Sequence, residues 1–224
     1  MGVPVPNRSS GVRVIVLGGS KGGCGRSSLA RNLLVAARQE KFDAVGVDLD
    51  AQRTFAKWAG RRVKARETLQ QVVEAEVIST SIGGWDSVYP TIATRDIAIV
   101  DTAPGVEHDM TRMIEICRNA AYVLVPTSPS TDDLESVVPW WRSLSATGCR
   151  GAFVLNKANR RTKSFGAARS ALLRHGAVAS VEIPHLEDIA APFASGLTSV
   201  DYDKARGGEV FGDLWQHIKR EIGL

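Results

Sequence analysis

Three cysteines in 224 residues, Cys24, Cys117 and Cys149, are too few and too far apart for a disulfide framework, and none forms a C-x-x-C pair that would hold zinc. The same spacing offers no paired thiolates for an iron–sulfur cluster, and the expected compartment is reducing. No apolar run reaches the roughly eighteen residues of a membrane span, and no charged n-region leads into an apolar h-region. A cytoplasmic protein is expected. Acidic residues are missing from two long stretches. Between Ser136 and Val181 there are eight Lys or Arg and no Asp or Glu, so this stretch carries +8 and the remainder −4 within a net charge of +4. Ala51 to Arg66 has six basic residues and no acidic ones. Clusters of one sign suggest an anionic partner, against the plainer reading of solvated helix faces.

What is present begins with enough apolar residue, 44% of the chain, to fill one well-buried core. Residues 12–224 are expected to form a single domain, preceded by a flexible leader over residues 1–11, MGVPVPNRSSG, whose prolines and small polar residues cannot bury a core face. The stretch VRVIVLGGSKGGCGRSSLARNLLVAA organises the rest. A β-branched run from Val12 to Leu17 reads as a buried strand, a glycine-rich turn follows, and Ser27 opens an apolar-periodic helix reaching about Glu40. Gly22, Gly23 and Gly25 let successive backbone N–H groups converge on a phosphate at the helix N-terminus. Ser27 stands where a hydroxyl can hold Mg²⁺.

Against the usual P-loop pattern G-x-x-x-x-G-K-[ST], Ser20 replaces the first glycine and Arg26 the lysine. With Lys21 five positions earlier, KGGCGRSS resembles the deviant Walker A motif KGGxGK[ST] of the ParA/MinD family of dimerising ATPases. The resemblance implies that Lys21 reaches across a dimer to the partner's nucleotide, and that Gly22, Gly23, Cys24, Gly25, Arg26, Ser27 and Ser28 cradle its phosphates. Asp48, Asp50 and Gln52, as DLDAQ, resemble the family's DxDPQ segment, which makes Asp50 the carboxylate that positions the attacking water; helix N-capping is the competing reading of this pair. DIAIVDTAPG reads as a buried strand ending in a Walker B-like carboxylate, Asp101, expected with Ser27 at Mg²⁺, and Thr102–Gly105 resembles the family's switch segment.

Elsewhere, Phe55 to Arg66 reads as a basic helix with Trp58 packing inward, VVEAEVIST as a possible strand, and GGWDSVYPTIA as a turn with a short helix. Tyr122 to Val125 is a strand; Pro126 and Pro129 fix the loop after it, Thr131 or Asp132 caps the next helix, and Asp132 and Asp133 read as caps. GAFVLNKAN is a strand ending in Asn156, and VASVEIP the last strand; by resemblance Asn156 and the loop after Pro184 lie near the adenine. The tail places Val210, Phe211, Leu214, Trp215, Ile218 and Ile222 on one helical stripe, expected to pack on the sheet. An interfacial anchor is the competing reading, disfavoured by a polar face with as many acids as bases and by the lack of a basic-apolar extension after Leu224.

The fold implied is a three-layer α/β P-loop NTPase with a mostly parallel central sheet. The resemblance further implies an ATPase, working with ATP, ADP and Mg²⁺, that forms a nucleotide-sandwich homodimer, binds DNA without sequence preference, and positions a plasmid, chromosome region or other cargo on the nucleoid with a ParB-like or adaptor protein as activator. The basic residues Arg160, Arg161, Lys163, Arg169 and Arg174, with Lys204 and Arg206 beside them, are the candidates for DNA contact. Arg26 should slow hydrolysis, because a planar guanidinium does not substitute for an enclosed ammonium. A MinD-like membrane-associated ATPase and a metabolic P-loop enzyme are the alternatives.

Overall fold

Alternation of apolar residues along each strand builds two cores, one on either face of a single sheet. In the computed structural model, which describes residues 11–104, 109–202 and 207–224, β1 (Arg13–Leu17) turns Ile15 and Leu17 to one face and Val14 and Val16 to the other. With β2 (Ala44–Asp48), β3 (Val77–Ser79), β4 (Ile97–Asp101), β5 (Tyr122–Thr127), β6 (Gly151–Leu155) and β7 (Ala177–Val178) it forms a sheet of order β3-β2-β4-β1-β5-β6-β7, every described pairing parallel. The first face is covered by α1 (Arg26–Gln39), α2 (Thr54–Thr68) and α8 (Gly208–Ile222), the other by α3 (Trp85–Ile92), α4 (Met110–Asn119), α5 (Thr131–Ser145) and α6 (Lys163–Leu173). A short helix, α7 (Glu187–Ala190), leads into the segment between α6 and α8. A sheet buried on both sides requires such near-continuous apolar strands.

Large side chains lock these layers. Phe55, Trp58, Phe211 and Trp215 are almost wholly buried, each contributing on the order of 1.5–3 kcal/mol in removing apolar surface from water. Trp58 Nε1 donates to the Leu197 carbonyl at 3.1 Å, which satisfies its polar atom inside the core. Arg62 lies beside it, 1% exposed, and its guanidinium pairs bidentately with Asp201 at 2.8 Å through both Nη atoms while Nε donates to the Val73 carbonyl at 2.8 Å. The C-terminal stripe is spent in this packing: Phe211, Leu214, Trp215 and Ile218 are buried, Val210 and Ile222 lie against the same core, and Phe42 meets Trp215 edge to face. It packs on the sheet as expected.

Three expectations change. Helix α5 is capped by Ser130, whose hydroxyl accepts the Asp133 N–H at 3.3 Å, rather than by Thr131 or Asp132. The last strand is shorter than VASVEIP: only Ala177–Val178 pairs regularly with β6, after which the chain touches it through single bonds, Ala179 N–H to the Phe153 carbonyl and Ile183 N–H to Leu155. The run is apolar because Ala179 and Ile183 point into the core, although it is not continuous strand. VVEAEVIST contributes three strand residues only, and the short helix after it accommodates Pro90. Residues 1–10 of the leader, Gly105 of the switch segment, and Lys204 and Arg206 lie outside the described residues.

Candidate functional site

The carboxyl ends of β1, β2, β4, β5 and β6 meet along one rim of the sheet, the place where open α/β folds hold ligands. Here the loop of residues 18–25 turns into α1. Gly25 sits at φ 98°, and a Cβ on it would fall 2.0 Å from the side-chain amide of Asn156, so both backbone and neighbour demand glycine. That amide, on a residue 5% exposed, donates to the Cys24 carbonyl at 2.7 Å. Lys157, in the left-handed region at φ 52°, donates to the Gly23 carbonyl at 2.9 Å. The end of β6 therefore braces the loop.

Arg26 fills the inside of the loop. It is 6% exposed; Nε donates to the Thr102 carbonyl at 3.0 Å, and Nη1 faces the carbonyls of Lys21 at 2.7 Å and Gly19 at 3.1 Å and the Cys24 sulfur at 3.3 Å. The cation is spent on its own loop and on the end of β4. Burial pushes the Cys24 thiol pKa up, partly opposed by the Arg26 charge. Lys21 points the other way. Its ammonium lies 2.7 Å from Asp133 Oδ1 in the first turn of α5, and the same carboxylate accepts the Ser128 hydroxyl. Burial would raise the Asp133 pKa, but Lys21 and Ser128 together lower it, and the bond to Asp133 raises that of Lys21.

Two carboxylates stand side by side at the floor. Asp48 and Asp101 are register partners on β2 and β4. Asp48, wholly buried, accepts the Asp50 N–H at 3.0 Å and the Ala56 N–H at 2.9 Å, which ties the end of β2 to the first turn of α2. The N-cap itself is Arg53, without a side-chain cap, so Asp48 satisfies this first-turn N–H from outside the helix. Asp50 accepts the Gln52 N–H at 2.8 Å and borders a cavity of about 330 Å³ with Gly22, Gly23, Gly25, Ser27 and Ser28. Asp101 is different: it is 1% exposed, and neither of its oxygens makes a hydrogen bond of good geometry. Burial pushes its pKa up to about 7, opposed by the Ser27 hydroxyl, reinforced by Asp48, and opposed again by Arg26 and Arg31. An orphaned buried carboxylate beside a hydroxyl suits a hard cation held by few protein ligands.

A second cavity, about 720 Å³, adjoins the first through Lys157. Pro184 borders it with Arg160, Arg161, Glu182 and His185, whereas Asn156 is buried behind the loop. The five basic candidates do not share one face. Arg160 pairs with Glu182, Arg161 borders the cavity, and Arg169 turns its guanidinium toward the Ala179 carbonyl at 3.4 Å. Lys163 and Arg174 are exposed at opposite ends of α6. Three residues escaped the sequence reading: Lys157 on the loop, Asp133 as the partner of Lys21, and Glu182 in the cavity wall. Only Lys157 carried a signal, as the basic residue next to Asn156 at a strand end.

The family model described as ATPase MipZ matches residues 13–135, from β1 into the first turn of α5. No curated protein matches the chain. Among solved structures, the septum site-determining protein MinD of Pyrococcus horikoshii with Mg-ADP superposes with a TM-score of 0.74 at 18% identity, covering 93% of this chain and 96% of that one. An ATP complex of a McdA variant from Cyanothece gives 0.72 at 13% identity, over 96% and 98% of the two chains. A ParA family ATPase from Chlorobium tepidum gives 0.70 at 17% identity, over 92% and 98%. The shared fold is a P-loop α/β sandwich with a parallel sheet.

Proposed function

Because the chain belongs to the ATPase MipZ family, within the ParA/MinD-type deviant Walker ATPases, we propose that it binds ATP with Mg²⁺, closes into a nucleotide-sandwich homodimer and, in that state, rides on DNA to position a cargo. The observation that carries the nucleotide reading is Asp101, a buried carboxylate without a hydrogen-bond partner beside Ser27, at the floor of a glycine-lined cleft. Ser27 and Asp101 would hold Mg²⁺, whose charge supplies neutralisation of the phosphate oxygens. Gly22 to Ser28 would present backbone N–H groups to those phosphates, and Lys157 and Pro184 lead to the larger cavity for the base. The ligands that relatives carry, Mg-ADP in MinD and ATP in McdA, support the same choice.

Asp50 would orient the attacking water, since phosphoryl transfer rests on alignment and charge neutralisation rather than on covalent work by the protein. Lys21 would serve the partner's nucleotide, after release from Asp133. Arg26 keeps a positive charge in the loop but holds it against backbone carbonyls, so turnover is slow. A membrane-anchored reading gains no support from α8, whose apolar stripe is consumed by the core, and no described helix is long and apolar enough to cross a membrane.

The test is sizing of the protein with and without a non-hydrolysable ATP analogue and Mg²⁺, alongside ATP turnover and binding to unrelated duplexes. Analogue-dependent dimers that bind all duplexes alike, with affinity falling steeply in salt, support the proposal. A monomer under every condition overturns the dimer, and absence of duplex binding overturns the DNA reading alone.

A further inference from the structure

Apart from Thr54, which borders the nucleotide cavity, the acid-free segment from Ala51 to Arg66 found no use in the nucleotide site, yet its exposed residues form the outer face of α2. Phe55, Trp58, Ala59 and Arg62 turn inward, Lys57, Arg61 and Lys64 recur at helical spacing on the opposite, exposed side, and the exposed Arg53 stands at the N-cap just before them. Over eleven residues at 1.5 Å each, this stripe runs about 16 Å along the surface. Among the described residues no carboxylate pairs with any of the four; Arg61 touches only the Phe193 carbonyl, at 3.1 Å, and the first acid along the helix is Glu67, past the end of the stripe. In the middle lies Gly60, where an added Cβ would meet nothing within 4 Å. Glycine inside a helix costs about 1 kcal/mol against alanine, and here no packing reason asks for it.

We infer that the outer face of α2 is a docking surface for the phosphate backbone of duplex DNA, with the four cations contacting phosphates and Gly60 letting the backbone approach the helix closely. The inference rests on the DNA reading above and reassigns its main surface. On and beside α6 the corresponding charges are divided: Arg160, in the turn before it, pairs with Glu182, Arg169 turns inward, and Lys163 and Arg174 stand a helix length apart. The two helices also lie on opposite faces of the sheet, so one straight duplex does not rest on both in one protomer. A protein partner is a poorer fit, because interface cores favour aromatics and shed lysine, and the stripe has no aromatic. A membrane is a poorer fit as well, because the apolar side of α2 is already buried and Val63 is the single large apolar side chain exposed along the helix among the described residues.

The full chain with ATP analogue and Mg²⁺ is titrated against duplexes of unrelated sequence over a salt series, comparing the parent with Lys57→Gln/Lys64→Gln, with Gly60→Glu, and with Lys163→Gln/Arg174→Gln. None of these positions belongs to the nucleotide site, and Gly60→Glu places a better helix former in open space, so its fold is retained. Loss of two phosphate contacts makes the log–log salt slope shallower by about 1.8, at roughly 0.9 per phosphate. Gly60→Glu should lower affinity on the order of tenfold or more at fixed salt, as expected when a carboxylate meets the phosphate backbone. Analogue-dependent dimerisation should match the parent in every variant. A parent that binds duplex while both α2 variants bind equally well overturns the inference and leaves the DNA reading standing, as does loss confined to the α6 variant. In a parallel titration with anionic lipid vesicles, α2 variants that lose vesicle binding while keeping duplex binding also overturn it. A parent that binds no duplex removes the underlying DNA reading instead.

Discussion

The ammonium of Lys21 and the carboxylate of Asp133 are held 2.7 Å apart, joining the phosphate loop to the first turn of α5. If Lys21 serves the nucleotide of a second protomer, this pair must break first, and Asp133 competes with phosphate for the same charge. Lys21→Ala should abolish the analogue-dependent dimer while the monomer remains folded. Asp133→Asn should shift dimer formation to lower analogue concentration. Sizing or light scattering over an analogue titration reads both, and equal dimer for Lys21→Ala and parent would remove the lysine from the interface.

Restoring lysine at position 26 should speed hydrolysis. The guanidinium now faces three carbonyls and a sulfur, while a lysine ammonium on a flexible stem is a compact charge with three rotatable donors. A gain of about tenfold in turnover, equivalent to about 1.4 kcal/mol of barrier, is expected for Arg26→Lys. A steady-state phosphate-release assay decides it; an unchanged or lower rate would count against the assignment.

Asp101 predicts two opposite pH dependences. With a folded pKa of about 7 against an ordinary 3.8, the folded state binds the proton more tightly than the unfolded chain. Stability without metal should therefore fall as pH rises from about 4 to about 7 and level off above, with a slope of at most about 1.4 kcal/mol per unit. With Asp101 as the proposed Mg²⁺ ligand, nucleotide binding would need the carboxylate and should strengthen over the same range. Asp101→Asn should flatten the first profile and abolish the second, as read by thermal unfolding and by titration with a fluorescent nucleotide.

Asp50 and Asp101 should separate in kinetics. Asp50→Ala is expected to lower turnover on the order of a hundredfold, within the range for a lost proton-transfer or positioning group, with little change in nucleotide affinity. Asp101→Ala should weaken Mg²⁺-nucleotide binding itself. Equal losses of affinity in both variants would contradict the division of roles.

The buried pair between Arg62 and Asp201 gives a prediction about the fold alone. Asp201 also accepts the N–H and hydroxyl of Thr198, so its removal leaves a buried guanidinium partly unmatched. Asp201→Ala should cost about 3–5 kcal/mol by urea unfolding, as for other broken buried pairs. Arg62→Met, which removes the charge and keeps the volume, should cost less than Asp201→Ala; a greater loss would show that the hydrogen bonds to Val73 and Gly196 dominate.

The strand–loop–helix around Lys21, the β4 strand ending in Asp101 and the stripe of α8 were all legible in the sequence, because local periodicity reports which face of an element is buried. The same reasoning was silent on partners far along the chain. Arg26 stood out as a substitution, but its bond to Thr102 spans 76 residues, and Asn156 reaches the Cys24 carbonyl across 132. Asp48 and Asp50 looked alike in DLDAQ; only the fold gives one of them to the N-terminus of α2 and leaves the other facing the cleft. VASVEIP alternates as a strand would, and Ala179 and Ile183 are buried, yet hydrogen-bond pairing is a property of two segments and not of one.

The position of β1 in the sheet has a consequence for how the protein is made. Among the described residues it precedes every other strand, but its two neighbours are β4, which starts at Ile97, and β5, which starts at Tyr122. At roughly 5–20 residues per second, the ribosome needs on the order of ten seconds to supply both. The cover for α1 comes later still, because α8 ends at Ile222. Until β4 and β5 are made, β1 has no partner for its backbone, and until α8 is made, α1 lacks its cover, so loss of α8 would strip the helix that follows the phosphate loop.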